Sequence, residues 1–272
     1  KAKETAFNLF HIYDPAISYN QELKKKLDWQ AFIEKAINNN WLHLYYQPIL
    51  NLQTNTISHY ECLLRIIDDS GKITMPFEFV QYAENLGLIE TVDMSIINLA
   101  INKHKELQKG EQKHLKLAIN LSGKSINSKN VKTEIKRLLS LPGVCAEKII
   151  FEITETSAVE NFNSAKIFIN QIKKLGCHIA LDDFGTGFSS FYYLKNMYFD
   201  YIKIDGAFIK GIETDKKDRV FVKALSEVAH ALGQKTIAEF VETENIVTIL
   251  KELNINYAQG YHIGKPLPQI PY

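Results

Sequence analysis

The sequence has few cysteines, almost no net charge and no long apolar run, and each shortage excludes a class of protein. Its three cysteines, Cys62, Cys145 and Cys177, are odd in number and never spaced as CxxC. They predict neither a disulfide framework nor a zinc site, and they indicate a reducing, cytoplasmic setting. No apolar run approaches the ~18 residues that cross a membrane, so we expect membrane attachment only through domains outside this sequence.

The charge balance argues against one class of partner. Lysine and arginine total 32 and aspartate and glutamate total 31, which leaves a net charge of +1. Binding to DNA or RNA polymers needs a strong positive field, so we expect neither as a partner. A small phosphate-bearing ligand held by local groups stays open. The 272 residues fit either two domains or one α/β barrel of about 250 residues.

From about residue 42 onward, short apolar runs that end in a polar residue alternate with amphipathic stretches. Helices are predicted near 28–39, 129–140, 161–175, 216–232 and 243–253. This alternation predicts an α/β fold with a parallel sheet. Leu42–Leu50 and Thr56–Asp68 are joined by a link too short for a helix, so one early strand should run antiparallel to the others. An open doubly wound sheet is the alternative, but six or more polar strand ends in one cluster favour a closed ring.

The polar strand ends are the candidate chemical site. These oxygen donors are Glu61, Asn120, Glu152, Asp182, Asp183 and Glu239. Clustered carboxylates raise one another's pKa unless cations neutralise them. Oxygen donors without interleaved histidine or cysteine favour Mg²⁺ or Mn²⁺ over Zn²⁺. We therefore predict two ions, bridged by Asp182, with Lys203 as an additional positive charge for phosphoryl chemistry. The alternative is that these acids are unrelated helix caps and surface carboxylates.

The segment DDFGTGFSS at 182–190 joins a strand to a helix through two glycines. Its adjacent acids indicate a mobile loop at the site, and the alternative is an ordinary strand-to-helix turn. The segment lacks the GxxxxGK[ST] pattern of a phosphate-binding P-loop.

These motifs, in this order, resemble the EAL domain family of cyclic di-GMP phosphodiesterases between about Trp29 and Pro268. The matching segments are YYQPI at 45–49, ECLLR at 61–65, NLS at 120–122, EITE at 152–155, DDFGTGFSS at 182–190, KID at 203–205, AEFVE at 238–242, QGY at 259–261 and KPLP at 265–268. The resemblance implies a modified TIM (β/α)8 barrel with one antiparallel strand. It also implies metal-dependent hydrolysis of cyclic di-GMP to linear 5′-pGpG, and a homodimer formed through the DDFGTG loop region.

The resemblance also implies a role for each matching position. Metal ligands would be Glu61, Asn120, Glu152, Asp182, Asp183 and Glu239, of which Asp183 and Glu239 serve the second metal and the water. Catalytic residues would be Lys203, Glu239 and Glu155, with Glu155 holding the DDFGTG loop. Substrate contacts would be Gln47, Leu63, Arg65, Glu242 and Gln259. The cofactor is Mg²⁺ or Mn²⁺, expected as two ions.

Two positions depart from the family pattern. Cys62 replaces the alanine of the EAL motif, which predicts a packing change, with redox sensitivity as the alternative. Phe240 replaces a glycine beside Glu239, where a positive φ or a close backbone approach would produce strain. No expected metal ligand is missing, so we favour an active enzyme. The alternatives are a receptor that binds cyclic di-GMP without hydrolysing it, and a scaffold without nucleotide affinity.

A domain boundary is predicted between residues 27 and 28. Residues 28–272 form the EAL phosphodiesterase domain. Residues 1–27 are a linker whose start, KAKETAFNLFHIYDP, resembles the end of a GGDEF domain. The first residue is Lys1 rather than Met, which predicts a fragment of a longer protein with a GGDEF domain upstream.

Overall fold

A computed structural model describes residues 15–185 and 191–271 of the chain. The strands are β1 (Leu42–Asn51), β2 (Thr56–Ile67), β3 (Ile73–Thr74), β4 (Lys116–Leu121), β5 (Ile149–Thr154), β6 (His178–Phe184), β7 (Tyr201–Ile204), β8 (Lys235–Ala238) and β9 (Tyr257–Gln259). The helices are α1 (Pro15–Asn38), α2 (Pro76–Asn85), α3 (Ile89–Leu107), α4 (Gly123–Asn127), α5 (Lys129–Leu139), α6 (Glu155–Glu160), α7 (Phe162–Lys174), α8 (Phe191–Asn196), α9 (Gly206–Ile209), α10 (Lys216–Ala231) and α11 (Glu244–Glu252). Short 3₁₀ turns lie at Glu111–His114 and Ala146–Lys148.

The strands of this described part close into a barrel. Their order is β1-β9-β8-β7-β6-β5-β4-β2, and β1 also pairs with β2, while β3 adds to β2 outside the ring. From β2 through β4 to β9 the ring strands are parallel, and β1 is antiparallel to both of its neighbours. The predicted barrel and its single antiparallel strand are therefore confirmed.

Strand alternation divides the barrel interior into layers, because successive side chains point to opposite faces. A middle layer of aliphatic side chains and two tyrosines is buried and separate from the larger core, which also includes the helix residues. Its members are Ile49, Ala118, Ile150, Ala180, Tyr201, Ile237 and Tyr257. The inward side chains two residues from the middle layer in one direction form the layer at the carboxyl ends of the parallel strands. Those two residues away in the other direction form the layer at the amino ends.

Local capping fixes where several helices begin. The hydroxyl of Thr243 accepts a hydrogen bond from the backbone N–H of Ile246 at the start of α11, and Ser128 caps α5 in the same way. At α2, Pro76 occupies the first turn and the Glu78 carboxylate accepts the N–H of Met75. The predicted helices at 129–140, 161–175, 216–232 and 243–253 are all present.

The first helix differs from the prediction. Helix α1 begins at Pro15 rather than near Asp28. The charged stretch before Asp28 contains neither glycine nor proline after Pro15, so it can continue the helix rather than end it. The start of the predicted linker, including the short apolar run Phe7–Tyr13 that favours a strand, lies outside the described residues. No helix among residues 15–185 and 191–271 is long and apolar enough to span a bilayer.

Candidate active site

The carboxyl ends of the parallel strands bring eight polar side chains into one layer. They are Gln47 on β1, Glu61 on β2, Asn120 on β4, Glu152 on β5, Asp182 on β6, Lys203 on β7, Gln259 on β9, and Glu239 just after β8. Neighbouring strands pair Gln47 with Glu61 and Asn120 with Glu152. Other strand pairs are offset by two residues, so that Asp182 lies opposite Thr154, and the contacts of Lys203 show that the side chains nevertheless meet.

Lys203 lies at the centre of the layer. Its ammonium Nζ is 2.9 Å from Glu152 Oε2, 3.0 Å from Asp182 Oδ1, 3.0 Å from Glu239 Oε1 and 3.3 Å from Glu61 Oε2. Burial alone would lower the pKa of Lys203, but the four carboxylates outweigh it and raise that pKa well above its ordinary value. Lys203 is therefore charged, and it neutralises part of the negative charge that the sequence assigned to metal ions alone.

Glu61 is held by amides as well as by the lysine. Its carboxylate accepts hydrogen bonds from Asn120 Nδ2 at 2.7 Å and from Gln259 Nε2 at 2.6 Å, and Gln259 also donates to Gln47 Oε1 at 3.1 Å. Burial acts to raise the pKa of Glu61, but Lys203 and these donors together lower it. Glu61 is therefore ionised and fixed in position.

The remaining acids of the layer carry more negative charge than the Lys203 ammonium can balance. Burial, followed by the charge of Asp182, raises the pKa of Asp183 to about 6, and burial raises that of Glu239 to about 8. Burial also raises the pKa of Glu152 well above its usual range, against the opposing charge of Lys203. One ammonium cannot balance this group of carboxylates, so the site favours further positive charge.

The donor set fits a divalent cation. One carboxylate oxygen from each of Asp182, Asp183 and Glu239 lies within 4.8 Å of the others. Oε1 of buried Glu152 has no hydrogen-bond partner among the described residues, although a buried polar atom normally has one. All of these ligands are hard oxygen donors, which suit Mg²⁺ or Mn²⁺.

A backbone irregularity separates the two adjacent aspartates. Asp183 has a φ of 56°, and the pairing of β6 with β7 shifts register between Leu181 and Phe184. A bulge of this kind re-aims side chains beside active sites. Alternation would otherwise turn Asp183 away from the barrel interior. The irregularity explains how two consecutive residues both reach the acid cluster.

A cavity of about 350 Å³ opens beside Lys203. Its lining includes all five predicted substrate contacts, which are Gln47, Leu63, Arg65, Glu242 and Gln259. Arg65 is buried, donates from Nη1 to the carbonyl of Leu64 at 2.7 Å, and lies with Cζ 5.5 Å from the Tyr45 ring centroid. Asn120, Glu152 and Asp183 do not line this cavity.

Two further residues of the cavity wall, Lys210 and Pro266, were not predicted as site residues. Pro266 falls within the KPLP segment, so its position in the motif order was a usable signal. Lys210 follows a short helix after the KID segment and ends no strand, so strand periodicity gives no signal for it.

Position 240 has both features that favour a glycine, which are a positive φ and a close approach to the backbone. Phe240 has a φ of 54°, and a Cβ added at Gly206 would overlap its ring. The side chain is 48% exposed, lines the cavity, and has its ring centroid 4.3 Å from Lys210 Nζ. The strain is of the order of 1–3 kcal/mol. Glu239 nevertheless keeps its contact with Lys203 at 3.0 Å.

Glu155 and Cys62 complete the set of predicted positions. The Glu155 carboxylate accepts the backbone N–H of Gly185 at 3.0 Å, at the start of the DDFGTG loop. The rest of that loop, residues 186–190, lies outside the described residues. Cys62 is buried in the core outside the barrel interior, and burial raises the pKa of its thiol. A buried thiol of this kind is inert, which supports the packing interpretation.

A closed (β/α) barrel with acids and a buried lysine at the carboxyl ends of its strands defines the TIM-barrel class of enzymes. Within that class, the EAL domain profile matches residues 30–266, and the chain belongs to this family. It is 38% identical over 278 residues to the cyclic di-GMP phosphodiesterase PdeB of Shewanella oneidensis, covering 100% of this chain and 32% of PdeB. It is 34% identical over 255 residues to the cyclic di-GMP phosphodiesterase PdeF of Escherichia coli, covering 94% and 34%.

Solved structures show the same architecture. The PaMucR phosphodiesterase in complex with c-di-GMP aligns with a TM-score of 0.84 at 28% identity, covering 89% of this chain and 98% of that one. The FimX EAL domain from Pseudomonas aeruginosa, bound to c-di-GMP, aligns with a TM-score of 0.82 at 28% identity, covering 90% and 98%. This chain spans about a third of the length of the curated relatives, by the covered shares of 32% and 34%.

Proposed function

We propose that this domain hydrolyses cyclic di-GMP to linear 5′-pGpG with two Mg²⁺ or Mn²⁺ ions. The observation that carries the proposal is the buried Lys203 ammonium among four carboxylates, within 3.3 Å of each, beside a cavity lined by the predicted substrate contacts. Relatives named cyclic di-GMP phosphodiesterases and a structure of one in complex with c-di-GMP support the choice of substrate.

The metal ligands of this proposal are those predicted from the sequence. Glu61, Asn120, Glu152 and Asp182 would hold the first ion, and Asp183 and Glu239 would serve the second. A bound pair of divalent ions supplies Lewis-acid stabilisation of phosphoryl oxygens and a more acidic water.

The chain's own residues bind the substrate and manage charge. Arg65 donates to the carbonyl of Leu64 from Nη1, and its other guanidinium donors can bind a phosphate. Lys203 stabilises negative charge that develops on the phosphoryl oxygens. Glu239 lines the cavity and takes the proton of the attacking water. The water oxygen bonds to phosphorus, the bond from phosphorus to the 3′ oxygen breaks, and that oxygen takes a proton from solvent while Glu239 returns its proton to solvent.

The test is an incubation of cyclic di-GMP with the domain, with and without Mn²⁺, followed by chromatography. We expect 5′-pGpG only when the metal is present. Ca²⁺ should inhibit, because it prefers longer bonds, of about 2.3–2.6 Å, and a looser geometry than Mg²⁺. Equal rates in Ca²⁺ and Mn²⁺, or product in the presence of excess chelator, would contradict the proposal.

A second candidate is a receptor that binds cyclic di-GMP without turnover. The observation that favours it is Phe240, a strained and half-exposed aromatic beside Glu239. Tight binding of the nucleotide in Mn²⁺ without any 5′-pGpG would select this candidate.

We also propose the domain context that the sequence predicts. Residues 28–272 form the EAL domain, residues 1–27 link it to a GGDEF domain, and the protein works in the cytoplasm as a homodimer joined near the DDFGTG loop. The contact of Glu155 with Gly185 supports the loop's connection to the site. Sedimentation of the full-length protein with and without Mn²⁺ tests the dimer, and a monomer in both conditions would reject it.

A further inference from the structure

The amino ends of the parallel strands form a second polar layer, opposite the acidic site. We call this layer the basic end. It consists of Lys116, His178 and Lys235, together with the side chains of the middle layer that they reach, which are Tyr201, Tyr257 and, between the two tyrosines, His59. Tyr201 and Tyr257 meet edge to face with ring centroids 5.8 Å apart. Lys116 and Lys235 lie four residues along their strands from Asn120 and Glu239, on the far side of the middle layer, and nothing in the proposed hydrolysis uses them.

The two ammonium groups of this layer form no ion pair with a carboxylate of the described residues. Lys116 Nζ lies 3.1 Å from His178 Nε2 and donates to the Tyr201 hydroxyl at 3.1 Å. Lys235 Nζ donates to the Tyr257 hydroxyl at 3.4 Å. Neither ammonium has a carboxylate within 4.0 Å among the described residues. The Asp200 carboxylate lies beside the layer, with Oδ1 2.6 Å from Lys173 Nζ and 3.6 Å from His178 Nδ1.

The layer therefore has more donors than acceptors. An ammonium has three N–H donors and no acceptor, so within the described structure Lys116 has one donor left and Lys235 has two. The tyrosine hydroxyls that accept from them each keep a proton to donate. A cluster of like charges with spare donors is stable when an anion accepts from them.

His59 gives a second, independent indication of a missing partner. Its side chain is fully buried, and neither ring nitrogen has a hydrogen-bond partner among the residues that the structure describes. The ring lies between the two tyrosines, with centroid distances of 5.6 Å to Tyr201 and 5.5 Å to Tyr257. A buried imidazole has at least one N–H to donate, and leaving it unpaired costs about 1–3 kcal/mol.

A cavity of about 600 Å³ adjoins the basic end and shares Lys235 and Tyr257 with it. His230 and Lys251 add further basic groups to its wall, and its described lining contains no aspartate or glutamate. Asn256 is oriented by hydrogen bonds to Thr236 and His230. The cavity has room for more than a single oxyanion.

We propose that the basic end binds a phosphate group, held by the ammonium groups of Lys116 and Lys235. A phosphate monoester carries a charge of about −1.5 to −2 at pH 7 and has three acceptor oxygens, which matches two ammonium groups with spare donors. The group is either inorganic phosphate or the terminal phosphate of a nucleotide whose remainder occupies the adjoining cavity. This site is distinct from the acidic site at the other end of the barrel.

The experiment measures binding and thermal unfolding of the 272-residue protein in metal-free buffer at constant ionic strength. The probes are inorganic phosphate, guanosine 5′-monophosphate and guanosine. A ligand that binds the folded state alone raises the melting temperature. We expect the phosphate-bearing probes to raise it and guanosine to have no effect at this site. A larger shift from the monophosphate than from phosphate identifies a nucleotide as the ligand, and equal shifts identify free phosphate.

Variants locate the site. Lys235→Gln and Lys116→Gln should each weaken phosphate binding about tenfold or more, because a charge-assisted hydrogen bond is lost. Lys223→Gln, at an exposed position of α10, is the matched control and should bind as the parent does. Lys235 is exposed, so its variant keeps the test available if Lys116→Gln fails to fold. The proposal is overturned if phosphate binds all three variants equally, or if it does not bind the parent.

Discussion

The two ends of the barrel are made by the same strands and carry opposite charge. At the carboxyl ends, Lys203 is surrounded by carboxylates, and at the amino ends Lys116 and Lys235 have none within 4.0 Å among the described residues. The middle layer lies between them. On β4, β6 and β8 the residues of the two ends are four positions apart, as Lys116 and Asn120 are, because inward side chains recur at every second residue.

The two ends differ in how they accommodate buried charge. The acidic end surrounds one fully buried ammonium with acids and still has a surplus of negative charge, which favours metal ions. The basic end keeps its lysines partly solvated and pairs them with hydroxyl and imidazole groups. Unpaired charge is costly in proportion to burial, so the acidic end depends more strongly on its ligands.

The largest expected difference is between the effects that substitutions at the two ends have on the rate of cyclic di-GMP hydrolysis. Glu152→Gln removes a carboxylate from Lys203 and from the proposed first metal, and we expect it to lower kcat for cyclic di-GMP at least about a thousandfold. Lys235→Gln, at the basic end, should retain the parent rate. Chromatographic rates in Mn²⁺ measure both, and circular dichroism checks the fold. Full activity in Glu152→Gln would reject its role.

The next effect concerns the acidic end alone and appears as a pH dependence. Burial raises the pKa of Glu239 to about 8 and that of Asp183 to about 6 in the metal-free protein. A cation must then displace a proton, so Mn²⁺ affinity should rise about tenfold per pH unit, or on the order of a hundredfold from pH 6 to pH 8. Calorimetric titrations measure the slope.

Glu239→Gln provides the control for this slope. The amide cannot release a proton, so the pH dependence should become shallower between pH 6 and pH 8. The same Mn²⁺ affinity at both pH values in the parent would contradict the raised pKa values.

The sequence predicted the acidic end far better than the basic end. A strand-end acid such as Glu152 can be recognised in the sequence because its charge interrupts an apolar run. The order of the motifs then matches it to a position in the family pattern. The role of Lys203 as a partial counterion depends on four contacts between different strands, which no local pattern encodes. The positive φ of Asp183 likewise follows from a register shift between β6 and β7.

The basic end was not predicted because its residues begin strands rather than end them. His59 and His178 are histidines that the sequence alone presents as structural, and Lys116 and Lys235 look like ordinary surface lysines next to apolar runs. Their inward direction becomes evident only when strand register and barrel closure are known. Helices α2 and α3 were also missing from the prediction, since they lie between β3 and β4, outside the regular alternation of strand and helix.

An effect of intermediate size is expected on the free energy of unfolding, through Asp200 beside the basic end. Burial acts to raise the pKa of Asp200, but hydrogen bonds from His178, Lys173 and the N–H of Ile179 lower it to about 2. A lowered folded-state pKa stabilises the protein above the unfolded value, and this contribution is lost as the pH falls from about 4 to about 2. Asp200→Asn should therefore cost about 2 kcal/mol of unfolding free energy at pH 7.

Urea unfolding of the parent and of Asp200→Asn between pH 7 and pH 3 measures this difference. The two curves should converge toward the acidic limit, because the protonated Asp200 no longer carries its charge. A constant difference across the whole range would show that the charge of Asp200 does not contribute.

The weakest effect concerns Phe240 at the rim of the acidic end. Its half-exposed ring lines the cavity beside Lys210, and an aromatic face there can stack on a guanine base for about 1–3 kcal/mol. Phe240→Gly relieves the strain of a positive φ but removes this surface, so we expect KM to rise about fivefold, at the low end of that range, with kcat unchanged. Phe240→Tyr keeps the ring and should keep the KM. A higher kcat in Phe240→Gly with unchanged KM would instead show that the ring obstructs the site, because the glycine then restores turnover without any loss of substrate binding.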